Sequence, residues 1–306
     1  MKHVVSVSLG SSQRDKTFET EILGLPFRIE RVGVDGSLEK YAAKLEELDG
    51  KVDAIGIGGM DVYIHAGGKR YVLRDPAKLV SRLKQTPWVD GSGLKHTLER
   101  ETVRRLQTSG VVNWSGTKVL MVSAVDRFGM AEALHEAGAD LCVGDVMFIL
   151  GLPVPLRTWR GFQRVALTVI PYVVKAPFKW LYPTGKKQES VRPKWPYWYR
   201  WAEVIAGDFL LIRRHMPDDL AGKIILTNTT TEADHAELKK RGVSKLITTT
   251  PVFDGRSFGT NVLEAVLIAA AERKPEDLTE ADYLEMLKRL GWEPGVIVLN
   301  ADPPSP

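Results

Sequence analysis

The chain has 306 residues, 44% of them hydrophobic and 26% charged, with a formal net charge of +4. That length accommodates two ordinary domains, each with its own core, and the composition excludes a disordered or collagen-like chain. So modest a charge gives no ground for reading the chain as a nucleic-acid binder from its overall balance.

The single cysteine, Cys142, excludes an intramolecular disulfide and reads as a buried free thiol within the apolar run "DLCVGD". The amino-terminal "MKHVVSVSLG" has neither the long apolar core nor the cleavage site of an export signal, so a cytoplasmic setting is expected.

In chain order, "HVVSVSLG", "FRIERVGV", "VDAIGIGG" and "KRYVLRD" carry strand patterns, and "SLEKYAAKLEEL" carries apolar residues at helical spacing. Ser37 is placed to cap that helix, with Glu39 in its first turn. From Pro87 the pattern changes to a helix, "GLKHTLERETVRRLQTSG", stopped by Gly110. A βαβ unit follows: the buried strand "TKVLMVSAV", the turn and helix "DRFGMAEALHEAG", and the strand "ADLCVGD". A second unit of the same kind takes in "GDFLLIRRH", "GKIILTN", the helix "EADHAELKKRG" and "SKLITTTP". The apolar helix "TNVLEAVLIAAAERK" is expected to pack on a sheet, Thr279 and Asp282 form a capping box, and "GVIVLN" reads as a final strand. Strands alternating with helices in this way predict an α/β protein of two domains, the second a doubly wound parallel sheet.

Between the two units, Arg157, Arg160, Arg164, Lys175, Lys179, Lys186, Lys187, Arg192, Lys194 and Arg200 face one acid, Glu189. Its most apolar part, "VALTVIPYVV", is about half the ~20 residues a bilayer requires, so no transmembrane span is expected. "RPKWPYWYRW" interleaves Trp195, Tyr197, Trp198, Tyr199 and Trp201 with basic residues. A peripheral membrane or nucleic-acid contact through 157–201 is one interpretation. An insertion packed over the sheet with its basic heads in solvent is the favoured one.

The six histidines show neither HxxxH nor HExxH spacing, and one cysteine cannot build a thiolate cluster, so no metal ligand set is predicted. Neither a Gly-x-Ser-x-Gly elbow nor a P-loop occurs, which leaves hydrolase and kinase chemistry without local support.

The stretch "VDGSGLKHTLER", residues 89–100, places Asp90 between an apolar run and two glycines. It reads either as a plain strand-to-helix turn or as a carboxylate held at a hinge to meet a polyhydroxylated substrate. "DGSGLKHTLER" resembles the run that opens the nucleotide-binding domain of shikimate and quinate dehydrogenases. The βαβ unit at 117–145, Asn228 to Thr230 and the glycine-led helix from Gly259 follow in that family's order.

The resemblance implies an amino-terminal substrate-side domain at residues 1–86. It implies a Rossmann-like domain at 87–306, with the basic aromatic insertion at about 151–203. It implies an NAD(P)-dependent oxidoreductase acting on a quinate- or shikimate-like hydroxylated cyclic acid, with Asp90 orienting a catalytic lysine. Lys69 is the candidate for that lysine, although the family's neighbouring proline is missing. Ser8, Ser11, Ser12 and Asn228 become candidates for holding the substrate. In "SAVDRFG" the family's glycine-rich phosphate loop keeps only Gly129. Arg127, the N–H groups at Phe128 and Gly129, and Asp145 at the ribose are then the cofactor-binding candidates. An acid at Asp145 favours NAD over NADP. The alternative is a non-catalytic protein that binds a small molecule, or an anionic surface through 157–201. The oligomeric state is not legible.

Overall fold

The computed structural model describes residues 1–178, 191–250 and 259–301, together with the backbone of 252–253 and 256–257. Lys179, Lys186, Lys187, Glu189 and the terminal "DPPSP" lie outside the described residues. The chain forms two α/β layers, each built on its own largely parallel sheet.

The first sheet begins with β1 (Lys2–Ser8), followed by the antiparallel pair β2 (Lys16–Ile22) and β3 (Leu25–Gly33). Helix α1 (Leu38–Leu48) leads to β4 (Ala54–Gly58), with Ser37 accepting the Lys40 N–H as its cap. A hairpin of β5 (Tyr63–Ala66) and β6 (Lys69–Val72), then α2 (Arg74–Val80), bring the chain to β7 (Trp88–Val89). The strand order is β2-β3-β1-β4-β7, parallel except for β2.

Helix α3 (Ser92–Thr108) carries the chain into the second layer. There follow β8 (Lys118–Met121), α4 (Phe128–Glu136), β9 (Asp140–Val143), α5 (Asp145–Phe148), α6 (Trp159–Val173) and α7 (Pro196–Trp201). Next come β10 (Val204–Ala206), α8 (Phe209–His215), β11 (Ile224–Thr227), α9 (Glu232–Lys240) and β12 (Lys245–Thr248). A short hairpin, β13 (Val252–Phe253) with β14 (Arg256–Ser257), precedes α10 (Thr260–Ala271), α11 (Glu280–Arg289) and β15 (Gly295–Val298). The second sheet runs β15-β12-β11-β10-β8-β9 with only β15 antiparallel. Helices cover both its faces, which is why its strands read as unbroken apolar runs.

Two local expectations change. "GDFLLIRRH" is not a strand: Asp208 accepts the Leu211 N–H as a helix cap, and Phe209 and Ile212, three residues apart, bury one face of α8. Asp145 does not end a strand but starts the one-turn helix α5.

Helix α10, encoded late in the chain, packs against β1, β4 and β7 of the first sheet. Val4, Ala54 and Val89 meet its Ala265 and Ile268, while Val5, Val7, Ile55 and Ile57 face α1 on the other side. The glycines of "AIGIGG" follow from that approach: a Cβ on Gly56 would stand 3.0 Å from both the side chain and the carbonyl oxygen of Asn261.

The aromatic stretch caps the second core. Tyr199 is fully buried, and Trp195, Trp198 and Trp201 pack partly buried against the same cluster. The Arg157 guanidinium lies 4.2 Å from the centre of the Trp201 ring. Among the described residues no helix is long and apolar enough to cross a membrane.

Candidate functional site at the hinge

Asp90 sits at the end of β7, 7% exposed, where the chain leaves the first sheet. Its Oδ2 accepts the N–H groups of Val62 (2.7 Å) and Tyr63 (2.8 Å), and its Oδ1 accepts the Ser92 N–H (2.9 Å) and hydroxyl (2.6 Å). Gly91 follows at φ +90°, and a Cβ there would meet the Asn261 nitrogen at 2.7 Å, so only glycine fits this turn. Asp90 thereby ties the β5–β6 hairpin to the start of α3.

One turn further, Lys95 bridges the two layers. Its Nζ donates to Asp61 Oδ1 (3.2 Å), beyond β4, and to Asp126 Oδ1 (2.8 Å), in the loop after β8. Burial works to lower the Lys95 pKa, but the carboxylates of Asp126 and Asp61 outweigh it and hold the ammonium above its ordinary range. Burial lifts Asp61 to about 6 against the pull of Lys95. For Asp126 the nearby Lys95 and Arg127 charges overcome burial and keep the carboxyl below its usual value.

Ser92, Lys95, Glu99 and Thr102 follow one another at spacings of three, four and three along α3. They form a polar stripe turned inward, which is the sequence signal for this cluster.

The β8–α4 loop is closed by its own side chains. Arg127, 3% exposed, donates to Glu99 and lies 3.6 Å from Asp208. Burial pushes Glu99 up to about 7. Asp145 accepts the N–H groups of Ala124 (2.8 Å) and Val125 (2.9 Å), and burial lifts its carboxyl to about 6. Gly129 serves packing, because a Cβ there would lie 2.7 Å from the His96 ring and 2.9 Å from its carbonyl oxygen.

An open groove of about 940 Å³ runs along the β7 edge of the first sheet. Tyr63, His65, Arg70, Asp90, Glu264 and Tyr283 line its inner part. The Arg70 guanidinium stands 4.5 Å over the Tyr63 ring and makes no ion pair among the described residues. His65 stacks near His96, with ring centres 6.2 Å apart. Burial, and the neighbouring charges of His96 for one ring and Arg100 for the other, lower both pKa values, so both rings are neutral at neutral pH.

The residues that the sequence singles out fall in several places. Asp90 is in the groove wall. Lys69 is exposed at the far end of the hairpin, paired with Ala66, while Tyr63 beside Asp90 pairs with Val72. Ser8, Ser11 and Ser12 gather at the carboxyl end of β1. There the Ser8 hydroxyl oxygen accepts from Arg31 (3.1 Å), Ser11 accepts the Gln13 N–H, and Ser12 donates to Asp35 (2.9 Å). Asn228 follows β11 and accepts from the Thr227 and Thr250 hydroxyls. Phe128 opens α4, its ring against Trp159 and Phe162. Arg70, Lys95, Glu264 and Tyr283 are not among the sequence candidates.

Fold and site thus define a two-layer α/β protein with a polar groove beside its hinge helix. The chain belongs to the family described as Domain of unknown function (DUF8754), which residues 93–299 match. Residues 3–90 match a second one, Domain of unknown function (DUF8753), and the two meet at the turn held by Asp90.

No curated protein matches this chain. Among solved structures it is similar to GanP, a glucose-galactose binding protein from Geobacillus stearothermophilus (10% identity, 97% of each chain, TM-score 0.38). It is also similar to a sugar ABC transport substrate-binding protein from Bordetella parapertussis (12% identity, 90% of this chain and 81% of that one, TM-score 0.36). A third is the methylenetetrahydrofolate dehydrogenase-cyclohydrolase of Trypanosoma brucei (12% identity, 94% and 86%, TM-score 0.33). These likenesses are too loose to carry a functional argument.

Proposed function

We propose that the groove binds a small hydroxylated carboxylic acid. The observation that carries this is Arg70, an exposed guanidinium 4.5 Å over the Tyr63 ring with no ion pair among the described residues, next to the polar lining of His65, Ser92 and Tyr283. A planar cation of this kind takes a carboxylate through two parallel hydrogen bonds, and neutral imidazole and hydroxyl groups suit alcohol oxygens. Quinate and shikimate are acids of this class, in line with the resemblance of "DGSGLKHTLER" to their dehydrogenases.

Oxidation of such an acid by a nicotinamide is the enzymatic form of this proposal, supported by that resemblance and by the order of elements along the chain. Plain binding is the other form. The loop after β8, as it stands, does not fit a pyrophosphate. Asp126, Asp145 and Asp208 gather at the strand ends, Arg127 is bound to Glu99, and Gly129 is filled by His96 rather than left as a cradle. No hydride step is therefore derived from this arrangement.

Calorimetric titration of quinate and shikimate, each with and without NAD, separates the forms. Binding of the acid that Arg70→Gln abolishes without lowering Tm supports the groove. Unchanged affinity in that variant overturns it. NAD binding that strengthens with the acid supports the oxidoreductase.

A further inference from the structure

Aliphatic side chains stand in solvent where α5 ends. Ile149 and Leu150 are 58% exposed, Leu152 52% and Val154 48%, and Gly151 and Pro153 between them are exposed as well. Single apolar residues on a surface need no explanation, but an unbroken run of this kind marks a contact face.

The backbone of the loop is tied inward at both ends. Gly151, at φ +74°, donates its N–H to the Met147 carbonyl (3.0 Å), and Leu152 donates to the Val146 carbonyl (3.2 Å). Leu156 exchanges both backbone hydrogen bonds with Val143 of β9 (2.9 and 3.0 Å). The four side chains are thereby held outward, and none joins a hydrophobic cluster of the described residues.

The surroundings are cationic. Trp195 donates its indole N–H to the Met147 carbonyl (3.2 Å), which brings the start of α7 against the loop. A Cβ on Gly151 would stand 4.0 Å from Lys194 Nζ. Arg192, Lys194 and Arg200 are exposed and make no ion pair among the described residues, and the sequence from 146 to 202 contains one acid, Glu189.

Charge and shape together select the occupant. A second copy meeting the same patch across a two-fold axis would set like charges against each other. Single-stranded bases need open ring faces to stack on, whereas Trp195, Trp198 and Trp201 are packed against the second core. An anionic bilayer offers hydrocarbon for the aliphatic groups and negative headgroups for the cations around them.

We infer that residues 149–154 form a surface anchor for a bilayer containing anionic lipid. Ile149, Leu150, Leu152 and Val154 enter the boundary between headgroups and acyl chains, and Arg192, Lys194 and Arg200 meet lipid phosphates and carboxylates. The anchor is independent of the groove, so either reading can fail alone.

The test is co-sedimentation of the full chain with phosphatidylcholine vesicles containing or lacking phosphatidylserine. Binding should require phosphatidylserine and weaken as salt is raised. Leu150→Ser with Leu152→Ser should lower the partition at least ~10-fold and leave Tm unchanged, since neither side chain supports a core. Arg192→Gln and Lys194→Gln should each lower it roughly fivefold. A polarity-sensitive fluorophore on Leu150→Cys, with Cys142 buried and unlabelled, should shift to the blue on phosphatidylserine vesicles. Vesicle binding that ignores the leucine substitutions, or no binding to either vesicle, overturns the anchor. So does a dimer in vesicle-free solution that Leu150→Ser with Leu152→Ser dissociates, because a second copy then covers the face.

Discussion

The side-chain amide of Asn261 donates to the Ser6 hydroxyl oxygen at 2.8 Å across 255 residues of chain. The bond fastens the start of α10 to the middle of β1. It follows that the first 91 residues, although one family match ends at residue 90, do not make an independent folding unit. Without α10, the face formed by Val4, Phe27, Ile29, Ala54 and Val89 stands in water. Each large apolar side chain left exposed forgoes roughly 1.5–3 kcal/mol. A 1–91 fragment should show no cooperative thermal transition by circular dichroism, and a separately supplied 255–301 fragment should restore one.

Lys95, 13% exposed, lies between carboxylates contributed by both layers that are themselves about a third exposed, so its removal leaves two partly solvated charges without their cation. Lys95→Met should lower unfolding free energy by about 1–3 kcal/mol, measured by urea titration at neutral pH. Adding Asp61→Asn and Asp126→Asn to that variant should recover part of the loss. If Lys95→Met unfolds at the wild-type midpoint, the bridge has no stabilising role.

Stability should fall as pH rises from about 6.5 to about 8, above the range in which the lowered pKa values of His65, His96 and His215 act the other way. Asp61 and Asp145 near 6, Glu99 near 7 and Glu264 near 8 all lie above their unfolded values, so the native state holds more protons than the unfolded chain. Their contribution is complete below the unfolded pKa and is lost as pH passes each folded one. One such group fully out of step gives a slope of about 1.4 kcal/mol per pH unit. Urea midpoints across this window should decline, and Glu264→Gln should reduce the slope most clearly between pH 7 and pH 8. A rising profile would contradict these buried carboxyls.

Asp90→Asn should cost about 1–3 kcal/mol. The carboxylate receives four hydrogen bonds, and an amide must turn its NH₂ toward either the Val62 and Tyr63 donors or the Ser92 donors. The check is a lowered Tm together with faster hydrogen exchange at Tyr63. A turn acid without long-range partners would leave Tyr63 unchanged.

The sheets were legible because parallel strands buried on both faces leave short apolar runs, as in "TKVLMVSAV". "GDFLLIRRH" misleads for the same reason: nine residues of mixed apolar pattern do not separate a strand from a short helix. The turn at Asp90 was legible as a turn. Its partners Val62 and Tyr63 were not, since they are set by where a hairpin 27 residues upstream comes to rest. The hairpin also decides which neighbour meets the groove. Successive strand residues point to opposite faces, and the register places Arg70, opposite His65, in the wall while Lys69 stays at the tip. Nothing local in "GGKRY" contains that register. Glu264 was hidden for another reason: in "TNVLEAVLIAAA" it looks like a solvated residue on an apolar helix, and only glycine at position 93, where a Cβ would stand 2.5 Å from Glu264 Oε1, gives it a place inside.

The late position of α10 also bears on how this protein is made. Strand β7 leaves the ribosome some 170 residues before the helix that must cover its sheet. At ~5–20 residues per second, that interval lasts roughly 10–40 s, long compared with collapse of the segments already synthesised. Throughout it, one face of the newborn amino-terminal layer has nothing of its own to lie against. Biosynthesis should therefore depend on a holding chaperone during translation. Slowing elongation between codons 92 and 259 should lower the soluble yield, whereas slowing it after codon 271 should not.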